Sequence, residues 1–354
     1  KGSEFNLKNY FGPEDFQGQW SSDKKITYNK APLESWQGMP IGTGRTGAIV
    51  WVPEGIKIQI NHADAWGTDG NLMSLMRLNI NFENNPFKCE AENTFTQELN
   101  LKAGTINIQA KTKDGNVNVK IIAPQKLNAI FIDIEDERKC PSKISIIPEV
   151  WRQSTEVCSI DKTLIFSESN YFSSFKDLNH QSGVDEDFQD PLTGVSYGIA
   201  IAVRNSENFE ENSKALVEIV PKKKKTIIIV GDSEKTPVNI LSNKLQEMMK
   251  ELIALPMPFI EESHINWWKE FWGKSYFEIE ENSKLQPLSA IWHLNRYFAA
   301  CSMNGKLPPK FNGSIFNYDY DRRAWGGAYW FQNTRLQYWP LFKTGDMEYT
   351  QAFF

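Results

Sequence analysis

Apolar and polar residues alternate with a period of two from about residue 57 to residue 230. This is the spacing at which side chains recur on one face of a β-strand. The clearest alternating segments are 57–61, 78–82, 106–110, 117–121, 129–134, 143–146, 196–203, 215–220 and 226–230. Because no helical pattern separates them, and Asp114-Gly115 is a hairpin signal, the segments predict antiparallel sheets stacked as a large sandwich. The polar stretch 169–191 lacks periodicity and predicts a long excursion from it.

The apolar period changes to that of a helix after Asp232. Thr236 followed by Pro237 predicts an N-cap and a first helical residue, and Pro256 predicts the end of that helix. A second helix is expected from about Glu261, and it carries the aromatic residues Trp267, Trp268, Phe271 and Trp272. A short extended piece at 276–279 and a third helix at about 287–304 follow.

These patterns predict a multidomain β + α chain. Residues 1–232 are expected to form an antiparallel β-sandwich, 233–283 a helical linker, and 284–354 the first helices of a helical domain. The third helix is apolar on nearly every side, which is typical of a helix that other helices bury. Because so few helical residues cannot form a core alone, we expect that domain to continue, or to pack wholly on the sandwich.

Composition excludes several classes of function. The net charge of −5 argues against a nucleic-acid or anionic-membrane partner, and no apolar stretch is long enough to span a membrane. The 12 Trp, 11 Tyr and 22 Phe suit a glycan ligand, since sugars stack on aromatic rings. Scattered cysteines and histidines predict neither a metal site nor a cofactor. The chain starts at Lys1, which fits a removed export signal or a trimmed chain, so we expect a periplasmic or extracellular location. The sequence indicates no oligomeric state.

Residues 307–340 hold the densest mixture of aromatic, amide and charged side chains in the chain. They include LPPKFNGSIFN at 307–317 and WGGAYWFQNTRLQYWP at 325–340. Stacking faces and hydrogen-bonding groups alternate here, as a sugar-binding subsite requires. A helix start packed by aromatic residues and capped by polar ones is the structural alternative.

These two segments resemble the α-L-fucosidases of glycoside hydrolase family 95 and their Bacteroidetes relatives. That family carries LPANLQGIWN and then PPW…YHTNINLQMNYWP at the same places. Its ALPIGNGRLGAMV is similar to GMPIGTGRTGAIV at 38–50, and its IQLNEDTLWSG to IQINHADAWG at 58–67. The resemblance covers nearly the whole chain in order.

The resemblance implies an N-terminal β-supersandwich, a helical linker and the start of an (α/α) toroid of six helical hairpins. It also implies hydrolysis with inversion, in which one carboxylic acid protonates the leaving oxygen and a base activates water. In the family, the acid and a second carboxylate lie in later parts of the toroid. A family asparagine that positions the water falls on Asn333, whereas its first asparagine falls on Phe331 and its histidine on Tyr329.

We therefore expect Asn333, Arg335, Trp325 and Asp319 to line a cleft open toward the sandwich. The other candidate sugar-binding residues are Tyr329, Asn312, Asn61, His62 and Trp66. For Asn333 a helix cap is the alternative, for Asp319 and Asp321 a salt-bridged loop, and for His62 a plain loop.

The expected function is that of a secreted glycoside hydrolase acting on an oligosaccharide or glycan, such as an α-L-fucoside, of plant or host origin. This chain would be an N-terminal portion with little activity by itself. The alternatives are a catalytically inactive carbohydrate-binding protein of the same architecture and a structural sandwich without a ligand. The mixture of aromatic and amide residues at 307–340 argues against the last.

Overall fold

The computed structural model describes residues 19–21, 24–68, 70–88, 93–171, 190–212, 215–275, 277–280, 283–321 and 330–354. In this part of the chain the strands are β1 (Gln19–Ser21), β2 (Lys25–Tyr28), β3 (Met39–Gly42), β4 (Thr46–Trp51), β5 (Ile56–Trp66), β6 (Leu72–Phe82), β7 (Thr94–Asn100), β8 (Thr105–Thr112), β9 (Gly115–Ile122), β10 (Ala129–Asp136), β11 (Ile144–Glu149), β12 (Glu156–Ile160), β13 (Thr163–Ser169), β14 (Val195–Val203), β15 (Phe209–Asn212), β16 (Ala215–Glu218) and β17 (Lys224–Lys235).

The strands form two antiparallel sheets. One has ten strands in the order β1-β2-β7-β8-β9-β10-β17-β14-β13-β12, and the other has seven in the order β15-β16-β11-β6-β5-β4-β3. The last strand of the chain, β17, lies in the middle of the larger sheet, where Val230 pairs with both Ala129 of β10 and Ala200 of β14. The predicted hairpin at Asp114-Gly115 joins β8 to β9. The predicted antiparallel sheets are confirmed.

Successive residues of the central strands face two different cores. One set points between the sheets and includes Ile130, Ile132, Ile199, Ile201, Ile227 and Ile229. The other set points to the outer face, where a helix covers Phe131, Ala200, Ala202, Ile228 and Val230. This is why β10, β14 and β17 are apolar on both faces, whereas outer strands such as β8 and β9 alternate with polar residues.

The helices are α1 (Val238–Ala254), α2 (Met257–Gly273), α3 (Gln286–Ser302) and α4 (Phe331–Thr344), with 3₁₀ turns at Ser35–Gln37, Ser206–Asn208 and Met347–Phe353. The N-cap of α1 is Pro237, and no side chain caps the helix. The expected cap by Thr236 is therefore wrong, because the helix starts one residue later than the sequence indicated. The described residues 277–280 are irregular rather than a strand.

Helix α2 is held on the sandwich by its tryptophans. Trp268 is 1% exposed and lies against Gly104, where a side chain would collide with the indole ring. The indole Nε1 of Trp272 donates a hydrogen bond of 3.0 Å to the carbonyl of Leu101. Tyr297 of α3 stacks on Trp268 at 5.3 Å, and its hydroxyl donates to the carbonyl of Pro40. These contacts fix α2 and α3 to the sandwich.

A buried ion pair joins α3 to the residues that follow α4. The Arg296 guanidinium binds both carboxylate oxygens of Asp346, at 2.8 and 2.9 Å, and the two side chains are 2% and 1% exposed. Phe271 and Trp272 lie 4.4 and 5.2 Å from the guanidinium. The helical part therefore has an ordered polar centre as well as an apolar one.

Apolar side chains of α3 and α4 are exposed in this part of the chain. They include Leu288, Ile291, Leu336, Trp339 and Phe342. We expected α3 to be buried on nearly every side. In this part of the chain only the side of α3 that packs toward the sandwich is buried. The toroid and the expected domain boundaries stay predictions. None of the described helices combines the length and apolar character that a membrane span requires.

Candidate functional site

The segment before the second motif crosses the face of the seven-stranded sheet. The Tyr320 carbonyl accepts hydrogen bonds of 2.7 Å from the side chains of Gln59 and Ser74. The next residue, Asp321, accepts from the Ser74 backbone N–H at 2.8 Å and from the Trp151 indole at 2.7 Å. Residues of β5, β6 and the end of β11 therefore hold this loop in place.

Asp321 is an anchor of this loop. Arg152 donates from Nη1 to both of its oxygens, at 2.9 and 2.8 Å, and the same guanidinium binds Glu168 at 2.5 Å. Burial acts to lower the pKa of Arg152, but the nearby Tyr197, Asp321 and Glu168 outweigh it and raise that pKa. Both oxygens of the Asp321 carboxylate are therefore occupied. These are the contacts expected if this residue belongs to a salt-bridged loop, the alternative given above.

Asp319 has a different environment, because its side chain is 52% exposed. It accepts a 2.8 Å hydrogen bond from the Ser35 hydroxyl and lies 3.9 Å from Arg77 Nη2. The second carboxylate near this arginine is Glu149, 4.0 Å from Nη1. The ring of Tyr320, 44% exposed, covers the same guanidinium at 4.7 Å. We call Arg77, Glu149, Asp319 and Tyr320 the junction site.

The backbone conformation contributes to this geometry. Asp319 and Tyr320 have φ angles of 57° and 65°, in the left-handed region that non-glycine residues rarely adopt. Two consecutive residues in that region turn the chain sharply and direct their side chains outward. The contacts on the sheet offset the strain, which is on the order of 1–3 kcal/mol for each residue.

The candidates on β5 lie in the interior. Asn61 is fully buried and donates to the Ser74 hydroxyl at 2.9 Å. Trp66 is 2% exposed, its indole N–H donates to the carbonyl of Ala63, and the ammonium of Lys310 lies 5.6 Å from its ring. In the described residues these side chains support the loop from below, and their role in sugar binding stays a prediction.

His62 is also fully buried, and burial lowers its pKa to about 4. Its Nδ1 accepts from the Asp64 backbone N–H at 3.1 Å, so the neutral ring carries its proton on Nε2. One Asp64 oxygen accepts from the backbone N–H groups of Lys306 and Leu307, at 2.7 and 3.0 Å. His62 and Asp64 therefore connect the sandwich to the start of the first motif.

Asn333 and Arg335 lie in the first turns of α4. Trp330 is the N-cap of this helix, so Asn333 is not the cap. Arg335 stacks its guanidinium 4.9 Å from the ring of Trp339. Residues two apart on a helix face different directions, so Asn333 and Arg335 lie on different faces of α4.

The remaining candidates are placed as follows. Asn312 lies in a turn closed by a bridge between Lys310 and Ser314. Trp325 and Tyr329 lie outside the described residues. Asp319 contacts residues of the sandwich, whereas Arg335 contacts aromatic residues of its own helix. Among the described residues, no contact therefore brings the two side chains together in the expected cleft.

Sequence reasoning missed four residues that build the site: Ser74, Arg77, Glu149 and Arg152. The available signal was a charged residue, Arg77, within the otherwise apolar and weakly polar β6. Two partly exposed carboxylates and an aromatic face can accept and stack, while the buried Arg77 guanidinium supports them from below, which suits a ligand rich in hydroxyl groups.

Comparisons with known proteins place this geometry in a wider context. A family profile described as "Domain of unknown function (DUF5703)" matches residues 27–177, less than half of the chain. No curated protein matches the chain in sequence. Among solved structures, a protein from the human microbiome assigned as a kojibiose phosphorylase superimposes with a TM-score of 0.55 and 11% identity, covering 89% of this chain and 46% of its own.

Two further solved structures superimpose less closely. A bacterial glucoamylase complexed with acarbose has a TM-score of 0.45 and 9% identity, covering 96% of this chain and 50% of its own. A glycosyl hydrolase of family GH92 has a TM-score of 0.37 and 10% identity, covering 88% and 44%. This chain spans about half the length of each of these proteins or less. The TM-score of 0.55 shows a fold like that of the protein assigned as a kojibiose phosphorylase, and the specific resemblance to α-L-fucosidases stays a prediction.

Proposed function

We propose that this chain is the sandwich and first helical portion of a glycan-binding glycoside hydrolase, exported to the periplasm or the cell exterior. The observation that carries the proposal is the junction site. There a loop anchored by Asp321 presents Asp319 and Tyr320 to solvent beside Arg77.

The chemistry of these groups suits a sugar. The carboxylates of Asp319 and Glu149 accept charge-assisted hydrogen bonds from hydroxyl groups, and an exposed tyrosine ring offers a face to sugar C–H groups. The anchor keeps the site rigid, so little side-chain entropy is lost on binding. The likeness in fold to a carbohydrate-active enzyme supports the same class of ligand.

The finer parts of the proposal rest on the resemblance stated above. They are an (α/α) toroid, inversion at the anomeric carbon, and an α-L-fucoside or related sugar as substrate. In this proposal Asn333 positions the attacking water, while the acid and base come from the continuation of the toroid.

A second candidate is a carbohydrate-binding protein of the same architecture that lacks catalysis. It is favoured by Phe331 and Tyr329, which stand where the resemblance places an asparagine and a histidine.

Two measurements test the proposal. Calorimetric titration with a panel of neutral oligosaccharides should detect binding that Tyr320→Ala and Asp319→Ala each weaken at least tenfold. Phe259→Ala, at an exposed aromatic residue of α2, is the matched control and should bind as the wild type does. Release from aryl glycosides by the full-length gene product then separates the two candidates. Binding without turnover favours the second candidate, and the absence of both refutes the proposal.

A further inference from the structure

A cavity of about 880 Å³ lies where the edge of the ten-stranded sheet meets α2 and α3. Its wall comes from Lys24 and the start of β2, the end of β7 with the turn that follows, α2, the described residues Ser275, Phe277 and Glu278, and α3. The residues that carry the inference are Lys24, Lys25, Lys102, Lys269, Trp272 and Phe277. The cavity shares no residue with the junction site.

The charge of this wall is unusual for a chain of net charge −5. Two of its lysines are compensated, because Lys24 lies 3.4 Å from Glu278 and Lys25 lies 3.2 Å from Glu98. The other two, Lys102 and Lys269, have no carboxylate within ion-pair distance among the described residues. Two exposed and uncompensated ammonium groups at one cavity attract an anion.

The apolar part of the wall is aromatic and fixed. The Trp272 indole is held by its hydrogen bond to the Leu101 carbonyl, and Phe277 packs on Trp292 with ring centroids 5.6 Å apart. A ligand entering here meets ring faces as well as ammonium groups. This combination suits an anionic group carried on a ring with C–H faces.

The remaining polar groups favour hydroxyls over a second charge. Burial lowers the pKa of His293, so this imidazole is neutral at neutral pH. Its Nδ1–H donates to the carbonyl of Ser289 at 2.7 Å, so the proton of the neutral ring lies on Nδ1. The side-chain Oδ1 of Asn100 accepts from the Ala103 backbone N–H at 3.0 Å, and its amide nitrogen is the group of this side chain that can donate to a hydroxyl.

We propose that this cavity binds an anionic saccharide, a sugar ring that bears a carboxylate or sulfate group. Lys102 and Lys269 bind the anionic group, and the ring lies against Trp272 and Phe277. This second site does not rest on the function proposed for the junction site, since it uses different residues and a different ligand charge.

The test is titration calorimetry at low ionic strength with the Asp319→Ala/Tyr320→Ala chain, in which the junction site is disabled. The four probes are a glucuronate-containing disaccharide, N-acetylglucosamine 6-sulfate, an uncharged disaccharide and inorganic sulfate. We expect one or both acidic sugars to bind at least tenfold more tightly than the other two probes, and more weakly at high salt because exposed charges are screened. The binding sugar identifies the anionic group. Equal binding of inorganic sulfate, or of the uncharged sugar, overturns the proposal, and so does the absence of any binding.

Variants locate the site. The double change Lys102→Ala/Lys269→Ala should weaken acidic-sugar binding at least tenfold, whereas Lys111→Ala/Lys113→Ala removes the same charge from the exposed end of the β8–β9 hairpin and should not. Phe277→Ala should weaken sugar binding at least threefold without unfolding the chain, because this ring is 36% exposed. Equal effects of the two double changes would mean that general charge alone attracts the ligand, which overturns the site.

Discussion

Replacing Asp346 by alanine should strongly destabilise the helical part of the chain. The change leaves the Arg296 guanidinium, 2% exposed, without its bidentate partner. The guanidinium then keeps only the hydrogen bonds that it donates to the carbonyls of Phe271 and Ser275, at 3.0 and 3.3 Å. An unpaired charge in this position is poorly solvated, and water cannot replace the carboxylate without opening the packing of α3.

The expected loss follows from that geometry. Removing one partner of a buried ion pair costs about 3–5 kcal/mol of unfolding free energy. Because the two carbonyls and the ring of Phe271, 4.4 Å from the guanidinium, still stabilise the cation, we expect the lower end, about 3 kcal/mol. The double change Arg296→Met/Asp346→Leu removes both charges at similar volume, and it should cost less than the single change.

Guanidinium denaturation followed by tryptophan fluorescence measures these differences, because Trp268, Trp272 and Trp292 lie around this centre. Lys250→Ala is the control, since this exposed lysine pairs with Glu247 on the surface of α1 and should leave the unfolding curve unchanged. A loss below about 1 kcal/mol for Asp346→Ala, or a double change worse than the single one, would refute the reasoning.

The remaining predictions concern packing, pH and activity. Trp268→Ala should cost about 3–5 kcal/mol in thermal or chemical unfolding, and an unchanged melting temperature would contradict its burial against Gly104. His62 and His264 are buried and neutral, with pKa values lowered to about 4, so the unfolded chain binds more protons below pH 6.5. Stability should fall as the pH drops from 6.5 toward 4, by up to about 3 kcal/mol per histidine, and a flat urea midpoint over this range would exclude it. The 354-residue chain should show little or no glycosidase turnover, and robust release from an aryl α-L-fucoside would overturn this. In the full-length protein, Asn333→Ala should lower activity at least tenfold while changing stability by less than about 0.5 kcal/mol. A destabilised variant with intact turnover would make the residue structural.

The strands could be predicted where one face of the sheet meets solvent or polar groups. Alternation in β8 and β9 gave both strands, and the Asp114-Gly115 signal gave the turn between them. Strands β7, β12 and β13 were missed because their polar threonine, serine and glutamate residues weaken the alternation. The start of α1 was misplaced because Pro237 takes the N-cap position itself, where Thr236 had been expected.

The two sites were less predictable because their residues are distant in sequence. The loop at Asp319 could be flagged by its composition, but Arg77 lies more than two hundred positions earlier and meets it only through the sheet. The cavity lysines, Lys102 and Lys269, are also more than one hundred and fifty positions apart, and neither belongs to a basic run. Local sequence patterns contain no information on which distant residues come into contact, because the order of strands within the sheets sets these contacts.

The position of β17 has a consequence for synthesis of the chain. This strand is the last of the sandwich to leave the ribosome, and yet it fills the gap between β10 and β14. Until it emerges, both neighbours have unpaired edges, and because most residues of β10 and β14 are apolar, these edges are templates for aggregation. At about 5–20 residues per second, the roughly ninety residues from β10 to β17 prolong that exposure by about 5–20 s. A nascent chain stopped before residue 224 should therefore need a chaperone that covers strand edges, whereas one released after α1 should not.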